Sequence, residues 1–95
     1  MSGRPPYRVD LSSAAKRSFE RLPIVDRTRL LGPMLGSANE PFPVGAVRMS
    51  GSETWRIRVG ELRVLYRVDQ AAKVVVIHRV ARRNEATYRR IRESD

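Results

Sequence analysis

The chain contains no cysteine and a single histidine. Lack of cysteine excludes disulfides and thiolate-bound metal, and removes any argument for an oxidising compartment. With one histidine besides, only scattered carboxylates are left as ligands, which is no zinc-type constellation. No apolar run approaches the length of a membrane span, and the opening Met-Ser-Gly-Arg-Pro-Pro has charge without the apolar stretch of a secretory leader. A glycine-rich phosphate cradle and a serine or cysteine nucleophile arrangement are missing too. There is no internal repeat and no low-complexity segment. These absences lead us to expect a cytoplasmic protein without membrane attachment, metal or cofactor.

Negative charge is also scarce. Ten acidic residues face nineteen basic ones, giving a net charge of +9 and a pI near 11.4. Such an imbalance favours a polyanionic partner. A host genome that prefers arginine codons would account for arginine over lysine, but not for position: residues 54–95 carry a net +6, against +3 in the longer stretch 1–53. Ninety-five residues make one domain, 1–95, and a chain of that size buries roughly 60–70% of its unfolded surface, enough for a core without staples.

The chain is organised around two runs, Thr54-Trp-Arg-Ile-Arg-Val59 and Leu62-Arg-Val-Leu-Tyr-Arg-Val68. Both alternate residue by residue, the period of a strand with one dry and one wet face. Gly60-Glu61 between them suits a type II′ hairpin turn. That turn sets Val59 opposite Leu62, Arg58 opposite Arg63, Ile57 opposite Val64, Arg56 opposite Leu65 and Trp55 opposite Tyr66. One face is then a core. The other gathers Arg56, Arg58, Arg63 and Arg67 around Leu65. Like charges directly opposite on neighbouring strands are unfavourable by about 0.2–1 kcal/mol, so folding alone does not explain Arg58 facing Arg63. A bound anion would relieve it.

Along the rest of the chain, residues 7–11 alternate as a first strand. Ser12 or Ser13 can cap a helix with Ala15, Phe19 and Leu22 on its apolar side. A second helix restarts near Asp26 and presents Leu30, Leu31, Met34 and Leu35; Gly32-Pro33 in its middle predicts a bend or break. Residues 37–45 connect to a short strand at 46–49. After the hairpin, a turn at 69–72 leads to Lys73–Ala81, an apolar run that reads as a covered strand. Pairing Val68 with Lys73 there would put His78 opposite Arg63. Asn84 can cap a last helix, with Glu85 at its start and Arg89, Arg90 and Arg92 toward its end.

The element order β-α-α-β-β-β-β, the run Trp-Arg-Ile-Arg-Val-Gly-Glu-Leu-Arg-Val-Leu-Tyr-Arg-Val at 55–68, and the ending His-Arg-Val-Ala-Arg-Arg-Asn-Glu-Ala-Thr-Tyr-Arg at 78–89 resemble the RelE/ParE superfamily of type II toxins. The RelE branch is the more similar, and the likeness spans residues 7 to about 92. It implies an α+β fold: a four- to five-stranded, mostly antiparallel sheet with an N-terminal helical hairpin on one face and a short C-terminal helix. It further implies a ribosome-dependent mRNA endonuclease that cuts in the A site by 2′-hydroxyl attack and so inhibits translation, with a cognate acidic, RelB-like antitoxin, the ribosome and mRNA as partners.

Carried over by position, the resemblance makes Arg56 and Arg58 the basic pair of the third strand and Arg63 the arginine of the fourth. Arg82 becomes the arginine after the last strand, with Arg83 as the other candidate, and Tyr88 the tyrosine that stacks on a base. Arg67 and His78 join Arg83 and Tyr88 as substrate-binding candidates. The best-known members carry lysine where Arg56 and Arg58 stand. Arginine suits phosphate binding, being planar and always charged, but for the same reason is a poor base; the general base is therefore not assigned. Bland alternatives accompany each position: a solvated strand face for the arginines, a core role for Tyr88 beside Ile91, a structural role for His78. Two other functions fit the chain, a ParE-like gyrase-poisoning toxin and a non-catalytic RNA-binding module.

Overall fold

A computed structural model describes residues 5–82. In chain order it holds β1 (Arg8–Leu11), α1 (Ser13–Glu20), α2 (Ile24–Gly36), β2 (Val47–Arg48), β3 (Trp55–Val59), β4 (Leu62–Asp69) and β5 (Val74–Arg82). The five strands form one sheet in the order β1-β5-β4-β3-β2. Neighbours are antiparallel except β1, which lies parallel to β5 at the edge. This is the α+β, mostly antiparallel architecture expected, with both helices on one side. The expected C-terminal helix, with Asn84, lies outside the described residues.

Local chemistry explains the elements. Ser12 caps α1 by accepting a hydrogen bond from the Ala15 amide at 3.0 Å. Gly60 has φ +60 while Glu61 stays at negative φ, which fits a II′ turn and excludes I′, where both central residues need positive φ. The β3–β4 register follows, with Arg58 paired to Arg63 and Val59 to Leu62. The core forms where this face meets the helices: Ala15, Leu30 and Met34 pack on Leu62, Val64, Tyr66, Val75, Ile77 and Val80, with Phe19, Leu22, Trp55, Ile57 and Val59 at its margin. Tyr66 is 1% exposed, and its hydroxyl donates to the Pro41 carbonyl at 2.6 Å.

Three expectations are corrected. Helix α2 starts at Ile24 and continues through Gly32-Pro33 to Gly36, so of the expected bend or break it is the break that does not occur. Proline there removes the bond to the carbonyl of Arg29, an exposed residue, while Leu30 and Met34 hold the helix to the core. Second, α2 does not bury all four predicted residues: Leu31 and Leu35 point outward, 47% and 65% exposed. Third, β4 and β5 pair as Val68 with Val75 rather than Lys73, and a bulge between Leu65 and Tyr66 sets Leu65 opposite Arg79 and Arg63 opposite Ala81. The extra residue in β5 is His78, so it does not face Arg63. The turn closes later because Lys73 adopts φ +58, extending the connection by residues that the alternation pattern had placed in the strand.

Candidate nucleic-acid interface

The sheet face away from the helices carries the arginines. Arg56 and Arg58 reach it from β3, with Thr54 just before that strand, and Arg63, Leu65 and Arg67 from β4, because strand parity sends their neighbours to the core. The bulge reverses the parity of β5, and Arg79 arrives opposite Leu65. Two rows therefore cross the sheet, Arg56-Leu65-Arg79 and Arg58-Arg63-Ala81. Neighbouring strands lie about 4.8 Å apart, so five arginines from three strands share an area that a few nucleotides would cover.

At the centre sits a small apolar patch, Leu65 packed with Met49. Arg63 beside it is 7% exposed, with its Nη1 donating to the Leu62 carbonyl at 3.3 Å. Arg56 is half-buried, and Arg58 and Arg67 are exposed. Burial holds Arg63 in place while Arg58, its partner across the ladder, keeps its head in water. The same face has two acids among the described strand residues. Asp10 pairs with Arg8 at 3.0 Å, and Asp69 accepts from the Ala72 amide at 2.9 Å; both lie at the periphery, away from the two arginine rows.

His78 reaches across β4 to Thr54, with Nε2 and Oγ1 3.4 Å apart, and Thr54 is 1% exposed. The bulge that delivers it is fastened from behind: the Ser12 amide donates to the Ile77 carbonyl at 2.9 Å, the Ser12 hydroxyl to the His78 carbonyl at 3.4 Å, and the Val80 amide to the Ser18 hydroxyl at 3.3 Å. Ser12, the cap of α1, and Ser18 within it thus take over the edge of β5 where β1 has ended.

The structure does not bring all the predicted residues together. Arg82 pairs across the ladder with Leu62, a core position, and so points to the helix side, where its Nη2 donates to the buried Asp26 in the first turn of α2. It stands apart from Arg56, Arg58, Arg63 and Arg67. Arg83 and Tyr88 lie outside the described residues. Arg79 is the member that sequence reasoning missed. An unslipped ladder makes it a core-facing residue, and nothing in the local pattern announces the bulge.

Among the described residues no group of histidine, aspartate and glutamate could hold a metal ion, and no helix is long and apolar enough to cross a membrane. Fold and face define a small α+β protein that presents clustered arginines from three adjacent strands. No protein-family model and no curated protein matches the chain, but solved structures do. A chain of the Mycobacterium tuberculosis RelBE2 toxin–antitoxin complex is 34% identical, covering 82% of this chain and 99% of that one at a TM-score of 0.72. The Pyrococcus horikoshii RelE–RelB complex matches at 26% identity, 83% and 97% coverage and a TM-score of 0.73. The isolated E. coli RelE toxin shares the fold, with 17% identity, 94% and 99% coverage and a TM-score of 0.72. The chain belongs to the RelE toxins of the RelE/ParE superfamily.

Proposed function

We propose that this toxin is a ribosome-dependent mRNA endonuclease, held in check by a co-encoded acidic antitoxin and arresting translation in the cytoplasm when released from it. The observation that carries the reading is the opposed pair Arg58 and Arg63 within a cluster of five arginines. Such a cluster is unfavourable for folding and suited to a phosphodiester.

In this reaction the 2′-hydroxyl loses its proton and attacks the adjacent phosphorus, negative charge grows on the non-bridging oxygens, and the 5′-oxygen leaves with a proton. The products are a cyclic phosphate and a free 5′-hydroxyl. Arg56, Arg58 and Arg63 serve the middle step, where guanidinium forks match phosphate oxygens and removal of one donor costs on the order of 10²–10³ in rate. Arg67 and Arg79 hold flanking phosphates. His78 is the only side chain whose ordinary pKa lies near neutrality and is the proton carrier available on this face. With Arg82 engaged by Asp26, Arg83 is the better candidate for the arginine after the last strand, and Tyr88 for stacking on a base, worth about 1–3 kcal/mol. The RelE–RelB complexes among the similar structures support the antitoxin partner.

The test is primer extension on a defined mRNA in a reconstituted translation system. Wild type should produce new 5′ ends at the A-site codon, and Arg63→Ala and the exposed-site variant Arg58→Ala should lose them while remaining folded. Intact mRNA with wild type present would overturn the reading. In that case, DNA damage on induction would point to gyrase as the target, and RNA binding without cleavage to a non-catalytic module.

A further inference from the structure

We infer that the open edge of β3 is a docking groove for an extended protein segment in which an acidic residue is flanked on both sides by apolar ones. The inference does not depend on the nuclease reading. It starts from an unequal pair of strands. β2 is two residues long and covers only Trp55 and Arg56 of β3, with the Met49 amide closing on the Thr54 carbonyl at 2.8 Å. Gly45, at φ +95, turns the chain away before β2 reaches Arg58.

Hairpin geometry then fixes which main-chain groups are open. Val59 and Leu62 flank a two-residue turn and bond to each other, so Val59, Ile57 and Trp55 direct their N–H and C=O groups toward β4. Those of Arg58 point outward. Among the described residues no other backbone group closes on them. A strand edge of this kind is a template for another chain.

The space beside that edge is a groove of about 360 Å³, lined by Pro33, Gly36, Pro43, Val44, Ile57 and Val59, among others, with Arg58 on its rim. Val44 is fully exposed, and Leu35 is 65% exposed on the adjoining turn of α2. The apolar surface is therefore continuous from the helix to the sheet edge.

Strand alternation converts this into a sequence requirement on the occupant. A residue placed opposite Arg58 shares its face of the sheet, among the arginines, and charge complementarity makes it acidic. The residues before and after it share the face of Ile57 and Val59 and drop into the apolar groove. Glu40 in the groove's lining adds a reason for those inward positions not to be acidic. Main-chain bonds at Arg58 would supply affinity, and the apolar-acidic-apolar order specificity.

The test uses the full chain, labelled for amide NMR, and two end-blocked synthetic peptides of identical composition: one alternating valine and glutamate, the other with the glutamates grouped. The alternating peptide should bind saturably at millimolar concentration and slow exchange of the Arg58 amide at least tenfold, and the grouped isomer should bind at least fivefold more weakly. Leu35→Glu and Val44→Glu, both at exposed positions, should weaken the alternating peptide about tenfold with unchanged Tm. Equal binding of the two peptides would reduce the interaction to polyanion attraction and overturn the inference. So would binding that leaves Arg58 exchange unchanged, indifference to the two groove substitutions, or no binding at all.

Discussion

Replacing Arg58 with threonine separates a functional arginine face from a merely solvated one. Arg58 is exposed and directly opposite Arg63. Because Val59 and Leu62 are the bonded pair beside the turn, 58 and 63 form a non-hydrogen-bonded pair, whose Cα atoms come to about 4.5 Å. Two like charges so placed cost about 0.2–1 kcal/mol, and threonine is itself a good strand residue. Arg58→Thr should therefore raise stability by up to about 1 kcal/mol, which in a domain of this size is a Tm increase of up to roughly 4–8 °C. The gain should shrink with added salt, since the Debye length falls from about 10 Å at 0.1 M to about 3 Å at 1 M. The same substitution should lower mRNA cleavage by about 10²–10³ if the guanidinium stabilises charge on the phosphate. Urea denaturation and primer extension on one preparation read both effects. A variant less stable than wild type would refute the repulsion argument; one that is more stable and fully active would refute a functional reason for the pair.

Arg82→Ala leaves Asp26 buried without its cation. Breaking a buried pair costs about 3–5 kcal/mol, and the half-exposed arginine reduces this to about 2; in a double-mutant cycle Asp26→Asn should couple to it by more than 1 kcal/mol, with cleavage per folded molecule retained. Additive losses would show that the pair is not a unit. Burial first, and Glu40 second, push the Tyr66 hydroxyl up to about 12. A raised folded-state value favours the protonated phenol, so its contribution is complete below about pH 10 and is lost as pH climbs to 12, at up to about 1.4 kcal/mol per pH unit. Chemical denaturation across that window should show the slope, and Tyr66→Phe should flatten it while costing about 1–2 kcal/mol at neutral pH through the Pro41 carbonyl left unbonded. Lys73 combines a left-handed backbone with an ammonium 5.1 Å from the Tyr7 ring centre. Lys73→Gly should stabilise a Tyr7→Leu background by about 1 kcal/mol and the wild type by about 0.5–1 less; equal gains in both would mean the ring contact contributes nothing.

What the sequence determined was everything governed by short-range periodicity. Strict alternation on either side of Gly60-Glu61 leaves one register in which Ile57, Val64 and Tyr66 all face the core, so the hairpin, the core face and the opposition of Arg58 to Arg63 were legible from residues 54 to 68. A serine cap at 12 or 13 and the Ala15 face of α1 were legible too, and the structure chose Ser12. Tertiary structure alone decided the β4–β5 pairing, because a longer turn fixes no register: Lys73 in a left-handed conformation and the extra residue His78 together moved Arg79 onto the arginine face and His78 away from Arg63. It also decided the fate of α2. Helical spacing made Leu30, Leu31, Met34 and Leu35 equivalent, and only the position of the sheet beneath them chose Leu30 and Met34 for the core. Arg82 stands apart from the other arginines for a similar reason. Its local sequence is a strand exit with two consecutive arginines, and a carboxylate fifty-six residues earlier in the chain, Asp26, drew one of them to the helix side.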